Sequence, residues 1–227
     1  ELIGRELNNK RPDIRHPDGF NYQPSDLNNY TEEFLTISQN SGNEAVKVIY
    51  ELLEKGYTEE QILLDLLESS LALAGKKWSE GRYNEAMEHQ LSMTVVQSIL
   101  TLQTVSSPIK KERGRFAALT AEEELHNIGL RMLCRYLEID GWDSFFLGSS
   151  VPAESLKTFN ERNKIDMVLV SATLNKNIDS LCDIVHSIKS APESPVVIAG
   201  GIATILNREK IIEAGADDMK TEEEAFE

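Results

Sequence analysis

The sequence predicts an α plus α/β chain, a four-helix bundle cap followed by a five-stranded parallel, doubly wound (flavodoxin-like) sheet. Three observations predict it. From Ser25 to about Ser106 the apolar spacing is helical throughout, and capping signatures punctuate it. After Pro108 the grammar changes to short apolar β-type runs alternating with amphipathic helices, the pattern of parallel strands joined by crossovers. The length of 227 residues is enough for one large or two small domains, each with a core that needs no staples. The expected divisions are an irregular arm at 1–24, the cap at 25–107, a linker at 108–114 and the sheet domain at 115–227.

The elements follow in order. Pro12, Pro17, Gly19 and Pro24 break up the arm, which also carries His16. Ser41-Gly-Asn-Glu44 and Thr58-Glu-Glu-Gln61 read as capping boxes, and Gly56 and Gly81 sit where helices should stop. Four helices are therefore expected at about 25–39, 43–55, 59–80 and 84–105, and their short connections favour an antiparallel bundle. Strands are expected at 116–120, 144–147, 167–171, 196–199 and near 217–219. Helices at about 126–139, 153–163, 177–190 and 204–214 lie between them, with a terminal turn from Thr221. Trp142, Phe145 and Phe146 read as sheet core. Ligands of such sheets bind outside the carboxyl ends of the strands, so the chemistry is sought there.

Composition excludes several classes. With 23 Lys plus Arg against 38 Asp plus Glu, the formal charge is −15, which repels phosphate backbones. The one dense basic run, Lys110, Lys111, Arg113 and Arg115, falls in the expected linker, and no basic recognition helix stands before the bundle, so direct nucleic-acid binding is not expected. No apolar stretch approaches the roughly 20 residues that span a bilayer, so no membrane association is expected. Cys134 and Cys182 read as buried free thiols, which fits the cytoplasm.

At the sheet edge, the loop after the first strand reads Ala121-Glu-Glu-Glu124-Leu-His126-Asn127-Ile128-Gly129. A lone histidine at such a place is ordinarily a capping or half-buried one. Here Glu124, two residues earlier, can accept one imidazole N–H, fixing the tautomer and raising the basicity of the other nitrogen, as is usual behind a metal-bound histidine. Three glutamates disfavour the competing reading of a phosphate cradle. The third strand ends in Ser171-Ala-Thr173, two hydroxyls at the rim, and the fourth in Gly200-Gly201, where bare backbone can approach a ligand. Glu85 with His89, and Glu123 with His126, have metal-ligand spacing but too few donors for a site. Cys182 and His186 share a helix face and read as packing or solvated.

Glu124-x-His126-x-x-Gly129, then Ser171-x-Thr173, then Gly200-Gly201, resembles the signature of the cobalamin-binding domain family of methionine synthase, corrinoid methyltransferase subunits and cobalamin photoreceptors. That family's pattern begins Asp-x-His-x-x-Gly, and Glu124 lengthens the first residue by a methylene, as the CarH-type photoreceptors also do. The resemblance implies His126 as the metal ligand beneath cobalt, with Gly129, Ser171, Thr173, Gly200 and Gly201 lining the tunnel for the nucleotide tail and Glu124, Asn127 and Ile128 also binding the cofactor. A helical cap before this domain is also the family's arrangement. Trp78, followed after nine residues by Glu88-His89, is similar to the cap motif of CarH-type and LitR-type photoreceptors, where it shapes the adenosyl pocket. By pattern alone, a core Trp with a solvated Glu and His is an equally good account. In the CarH-type proteins a histidine directly follows that Trp, whereas here the position is Ser79, a poor ligand for cobalt.

The resemblance thus implies a cobalamin-binding sensory module rather than an enzyme. It would use adenosylcobalamin as a light-sensitive chromophore, with a dimer or a signalling protein as its output; nothing in the sequence indicates a second chromophore such as a bilin. The alternative is a corrinoid carrier subunit of a methyltransferase system. A phosphorylation receiver has the same kind of sheet but needs an acceptor Asp where the third strand here ends in Ser171.

Overall fold

A computed structural model describes residues 23–106, 109–191 and 193–220. Nearly all of the arm, with His16, and the turn expected from Thr221 lie outside the described residues. The chain divides into two compact units, with the boundary between residues 107 and 108.

The first unit is helical. A 3-10 turn, Leu27–Tyr30, leads into α1 (Thr31–Asn40), followed by α2 (Gly42–Glu54). α3 (Glu59–Gln61) runs without a break through a π-helical segment, Ile62–Glu68, into α4 (Ser69–Ser79), and α5 (Glu85–Val105) closes the unit. Thr58 and Gln61 form the reciprocal capping box. At Ser41 only half of the expected box forms: its hydroxyl accepts from Glu44 N at 3.3 Å, while the Glu44 carboxylate turns to Lys47 at 2.6 Å. The first helix starts at Thr31 rather than near Ser25, because Ser25 is held elsewhere. Its N–H and Oγ both donate to the buried Asp65 at 2.8 Å, and Gln61 Nε2 donates to Gln23 O at 2.9 Å. The π segment has a wider turn than an α-helix, and Ile62, Leu63, Leu64, Leu66 and Leu67 along it are all buried.

The second unit contains β1 (Gly114–Thr120), α6 (Ile128–Ile139), β2 (Trp142–Gly148), α7 (Ala153–Asn163) and β3 (Met167–Ser171). A 3-10 turn, Asn175–Asn177, then opens α8 (Ile178–Lys189), followed by β4 (Val196–Gly200), α9 (Ile202–Ile205), α10 (Arg208–Glu213) and β5 (Asp218–Lys220). The strands are parallel in the order β2-β1-β3-β4-β5, the expected flavodoxin-like topology. Strand parity makes the sheet doubly wound. Ala117, Leu119, Val168, Val170, Val197 and Ala199 pack with α7 and α8, while Phe116, Ala118 and Leu169 pack with α6.

Several expectations need correction. The helix expected over 204–214 is split into α9 and α10, and Asn207, which precedes α10, spends its side chain on Ala203 O and Asn175 Oδ1. Trp142, Phe145 and Phe146 are half-buried because β2 is an edge strand. Cys134 is buried, but Cys182 is only half-buried, and His186 on the same helix is exposed. The basic run is no free linker. Glu112 and Arg113 donate from their backbone to Gly141 O, while Lys111 Nζ reaches Glu138 O at 3.2 Å and Arg113 Nε reaches Asp140 O at 3.0 Å. These cations therefore serve the carbonyl end of α6.

Register at the edge is tight where β3 and β4 end. Gly201 has φ 94°, and a Cβ there would lie 2.4 Å from Ala172 O. Both the left-handed backbone and the clash oppose any side chain. Gly201→Ala is expected to cost about 2–3 kcal/mol, lowering the melting temperature of this unit by roughly 10 °C in a calorimetric scan. A change under about 2 °C would mean that the two strand ends part easily.

Candidate functional site

The strand order reverses direction between β1 and β3, so the chain leaves these two strands in opposite directions at the carboxyl end of the sheet, the place where such sheets bind ligands. The loop after β1 folds back at once. Ala121 N donates to Ser171 O, Glu124 N closes a turn onto Ala121 O, and Thr120 Oγ1 donates to Glu124 O. Glu123 takes the left-handed conformation, φ 59°, and Glu122 N is held by Ser180 Oγ. The turn points Glu124 inward, where it is fully buried.

Inside, the carboxylate accepts from five donors. Oε1 takes His126 N at 3.1 Å and His126 Nδ1 at 2.6 Å. Oε2 takes Thr173 N and Leu174 N, each at 2.9 Å, and Asn177 Nδ2 at 3.0 Å. Burial alone would raise the pKa of Glu124. The donors outweigh it, Leu174 N first, then the His126 ring and backbone and Asn177, and hold the carboxyl down to about 2. Because the ionised carboxylate only accepts, the proton between it and the imidazole belongs on Nδ1. Nε2 is left as the lone-pair nitrogen on a side chain 58% exposed, with no partner for it among the described residues.

The other expected residues take these places. Asn127 is the N-cap of α6, with Oδ1 accepting from Arg131 Nε instead of capping the helix; Ile128 is half-buried and Gly129 exposed on the first turn. Ser171 is half-buried at the end of β3, paired with Thr120 on one side and Gly200 on the other, and half-buried Thr173 follows. Gly201 gives up its side chain to the Ala172 carbonyl.

Trp78, Glu88 and His89 lie in the helical unit. Trp78 ends α4 at 53% exposure, and no hydrogen bond or ring contact joins its indole to Glu88 or His89. Glu88 Oε2 meets His89 Nδ1 at 2.9 Å, and Ser92 Oγ donates to Glu88 Oε1 at 2.6 Å. Ser79 Oγ donates to Lys76 O. Two participants at the Glu124 site carry no signal in the sequence. Asn177 stands 53 residues from Glu124 with no motif around it, and the Leu174 contribution is backbone.

Residues 114–227 match the family model of the B12 binding domain. The chain belongs to that family. The site suits its cofactor. Among the described residues no group of three or more His, Cys, Asp or Glu could enclose a metal ion. One tautomer-fixed imidazole at the rim could supply a single ligand to a metal already held in a macrocycle.

Three solved structures resemble the chain. A monomethylamine corrinoid protein of Methanosarcina barkeri has TM-score 0.72 at 19% identity, over 88% of this chain and 94% of that one. A cobalamin-binding protein of Desulfitobacterium hafniense DCB-2 has TM-score 0.46 at 19% identity, over 86% and 95%. A methanol:cobalamin methyltransferase complex of Methanosarcina barkeri has TM-score 0.46 at 16% identity, over 89% and 78%. The first shows that the B12-binding domain here, with its helical unit, shares a corrinoid protein's fold. No curated protein sequence matches the chain. No helix among the described residues is long and apolar enough to cross a membrane.

The depressed Glu124 pKa links the site to stability. A folded-state value of about 2 against an ordinary 4.5 means that folding favours the ionised form. Its contribution is complete above about pH 5 and is lost as the pH falls toward 2, about 3 kcal/mol in all. Glu124→Gln should remove that part of the acid dependence and lower stability at pH 7 by a similar amount. Denaturant titrations of both proteins between pH 2 and 7 check it, and parallel curves would show that the hydrogen bonds do not discriminate against protonation.

Proposed function

We propose that this chain is a corrinoid carrier subunit of a methyl-transfer system, holding cobalamin with His126 beneath the metal. One observation carries the reading: an exposed imidazole at the switch point of a B12-binding domain, its proton held on Nδ1 by a buried carboxylate and its Nε2 free to ligate. The fold shared with a monomethylamine corrinoid protein supports the carrier over a sensor. Bound cobalamin would supply a cobalt that accepts and gives up a methyl group.

The protein's own part is to orient and to hold a proton. Glu124 keeps the imidazole in one tautomer and one direction, so Nε2 would reach the metal of a bound corrinoid without reorganisation. Ser171 and Thr173 offer hydroxyls, and Gly129, Gly200 and Gly201 low relief, for the nucleotide tail beside it. A carrier also needs a protein partner at each end of the transfer, and the partners proposed here are methyltransferases.

A second reading, light sensing through adenosylcobalamin, draws on the helical unit alone, where Glu88 meets His89 and Trp78 is exposed. The two readings differ in the upper ligand they favour. Titration of the purified protein with methylcobalamin and adenosylcobalamin, followed by absorbance, is expected to give a histidine-ligated spectrum that His126→Ala abolishes. The carrier reading expects the methyl form to bind at least as tightly as the adenosyl form. A preference of about tenfold for the adenosyl form, with cleavage under green light, would favour the sensor. An unchanged spectrum in His126→Ala would sink the lower-ligand assignment.

A further inference from the structure

One cation beside the site has no ionic partner. Arg131 lies on the first turns of α6, half-buried, with its guanidinium 3.9 Å from the centroid of the Phe146 ring. Its Nε donates to Asn127 Oδ1 at 3.3 Å, and Asn127 is the residue directly after His126. No carboxylate pairs with it among the described residues, and its Nη nitrogens have no hydrogen bond there. By contrast, three other cations of the same unit are paired: Arg113 with Asp140, Arg135 with Glu138 and Lys189 with Asp217. In a chain of charge −15, an unpaired, partly desolvated guanidinium stands out. Burial pulls its pKa below the usual arginine value.

The group is also pre-set. Stacking on Phe146 and the bond to Asn127 fix the plane and one edge of the fork, leaving the Nη edge to form paired hydrogen bonds. Asn127 gives up helix capping to do so. Phe146 pairs with Ala118, two residues before the end of β1, so Arg131 sits near the rim on the β2 side of His126, away from the hydroxyls of β3.

We propose that Arg131 is a corrinoid-recognition residue whose Nη edge donates to an oxygen acceptor of the bound corrinoid. The acceptor is either an amide carbonyl on the rim of the ring or the phosphate of the nucleotide tail. This rests on the cobalamin-binding reading above.

The test titrates wild type, Arg131→Met and Arg131→Lys with cobalamin and with cobinamide, which keeps the ring amides and lacks the nucleotide. Affinity is read from absorbance. Losing a charge-assisted bond should weaken cobalamin binding by Arg131→Met about tenfold or more. An equal loss with cobinamide identifies a ring amide, and a loss confined to cobalamin identifies the phosphate. Affinities within about twofold of wild type for both ligands overturn the proposal, even if the melting temperature of the free protein falls. Should Arg131→Met not fold, Arg131→Lys, which keeps the charge and loses the fork, decides by the same thresholds. Failure of the wild type to bind either corrinoid would instead refute the cobalamin reading itself.

Discussion

The buried carboxylate of Glu124 ties this site together. It accepts from the loop after β1 through His126 and from the segment after β3 through Thr173, Leu174 and Asn177. An ionised group without water is tolerable only when its lone pairs are filled, and here five donors fill them. The tight turn at Glu123, the close approach of Gly201 to Ala172 and the docking of Glu122 on Ser180 all fix the frame that supplies these donors. Neither strand end can move without stranding a charge.

The helical unit contains a second carboxylate-histidine pair, and the contrast is instructive. Glu88 and His89 meet at 2.9 Å with side chains 37% and 78% exposed, whereas the Glu124 side chain is wholly buried. Water competes for every bond of the outer pair, so its geometry is weakly held. The inner pair has no such competitor. The same two residue types thus make an adjustable contact in one unit and a rigid mount in the other.

Most of the fold was legible in the sequence because burial on both faces of a parallel sheet leaves near-continuous apolar runs, and the capping residue Thr58 and the stop glycines mark helix ends locally. What escaped depended on distant partners. Ser25 fits the helical pattern, yet its backbone is claimed by Asp65, 40 residues on. The basic run has the composition of a linker, and nothing local says that the end of α6 needs cations. At the site, Glu124 and His126 are two residues apart, so their pairing could be anticipated. Asn177 reaches Glu124 only through the sheet, and the freedom of Arg131 is the absence of a partner, which no sequence displays.

The two tryptophans fall one in each compact unit, Trp78 exposed at the end of α4 and Trp142 on β2 with its ring edge-on to Phe116 at 6.2 Å. Emission from this protein is therefore two signals rather than one. A solvent-bathed indole reports red-shifted light from the helices, and a half-covered one bluer light from the sheet. Replacing either by phenylalanine gives a fluorophore that follows its own unit through denaturation, so the independence of the two can be measured with no label attached.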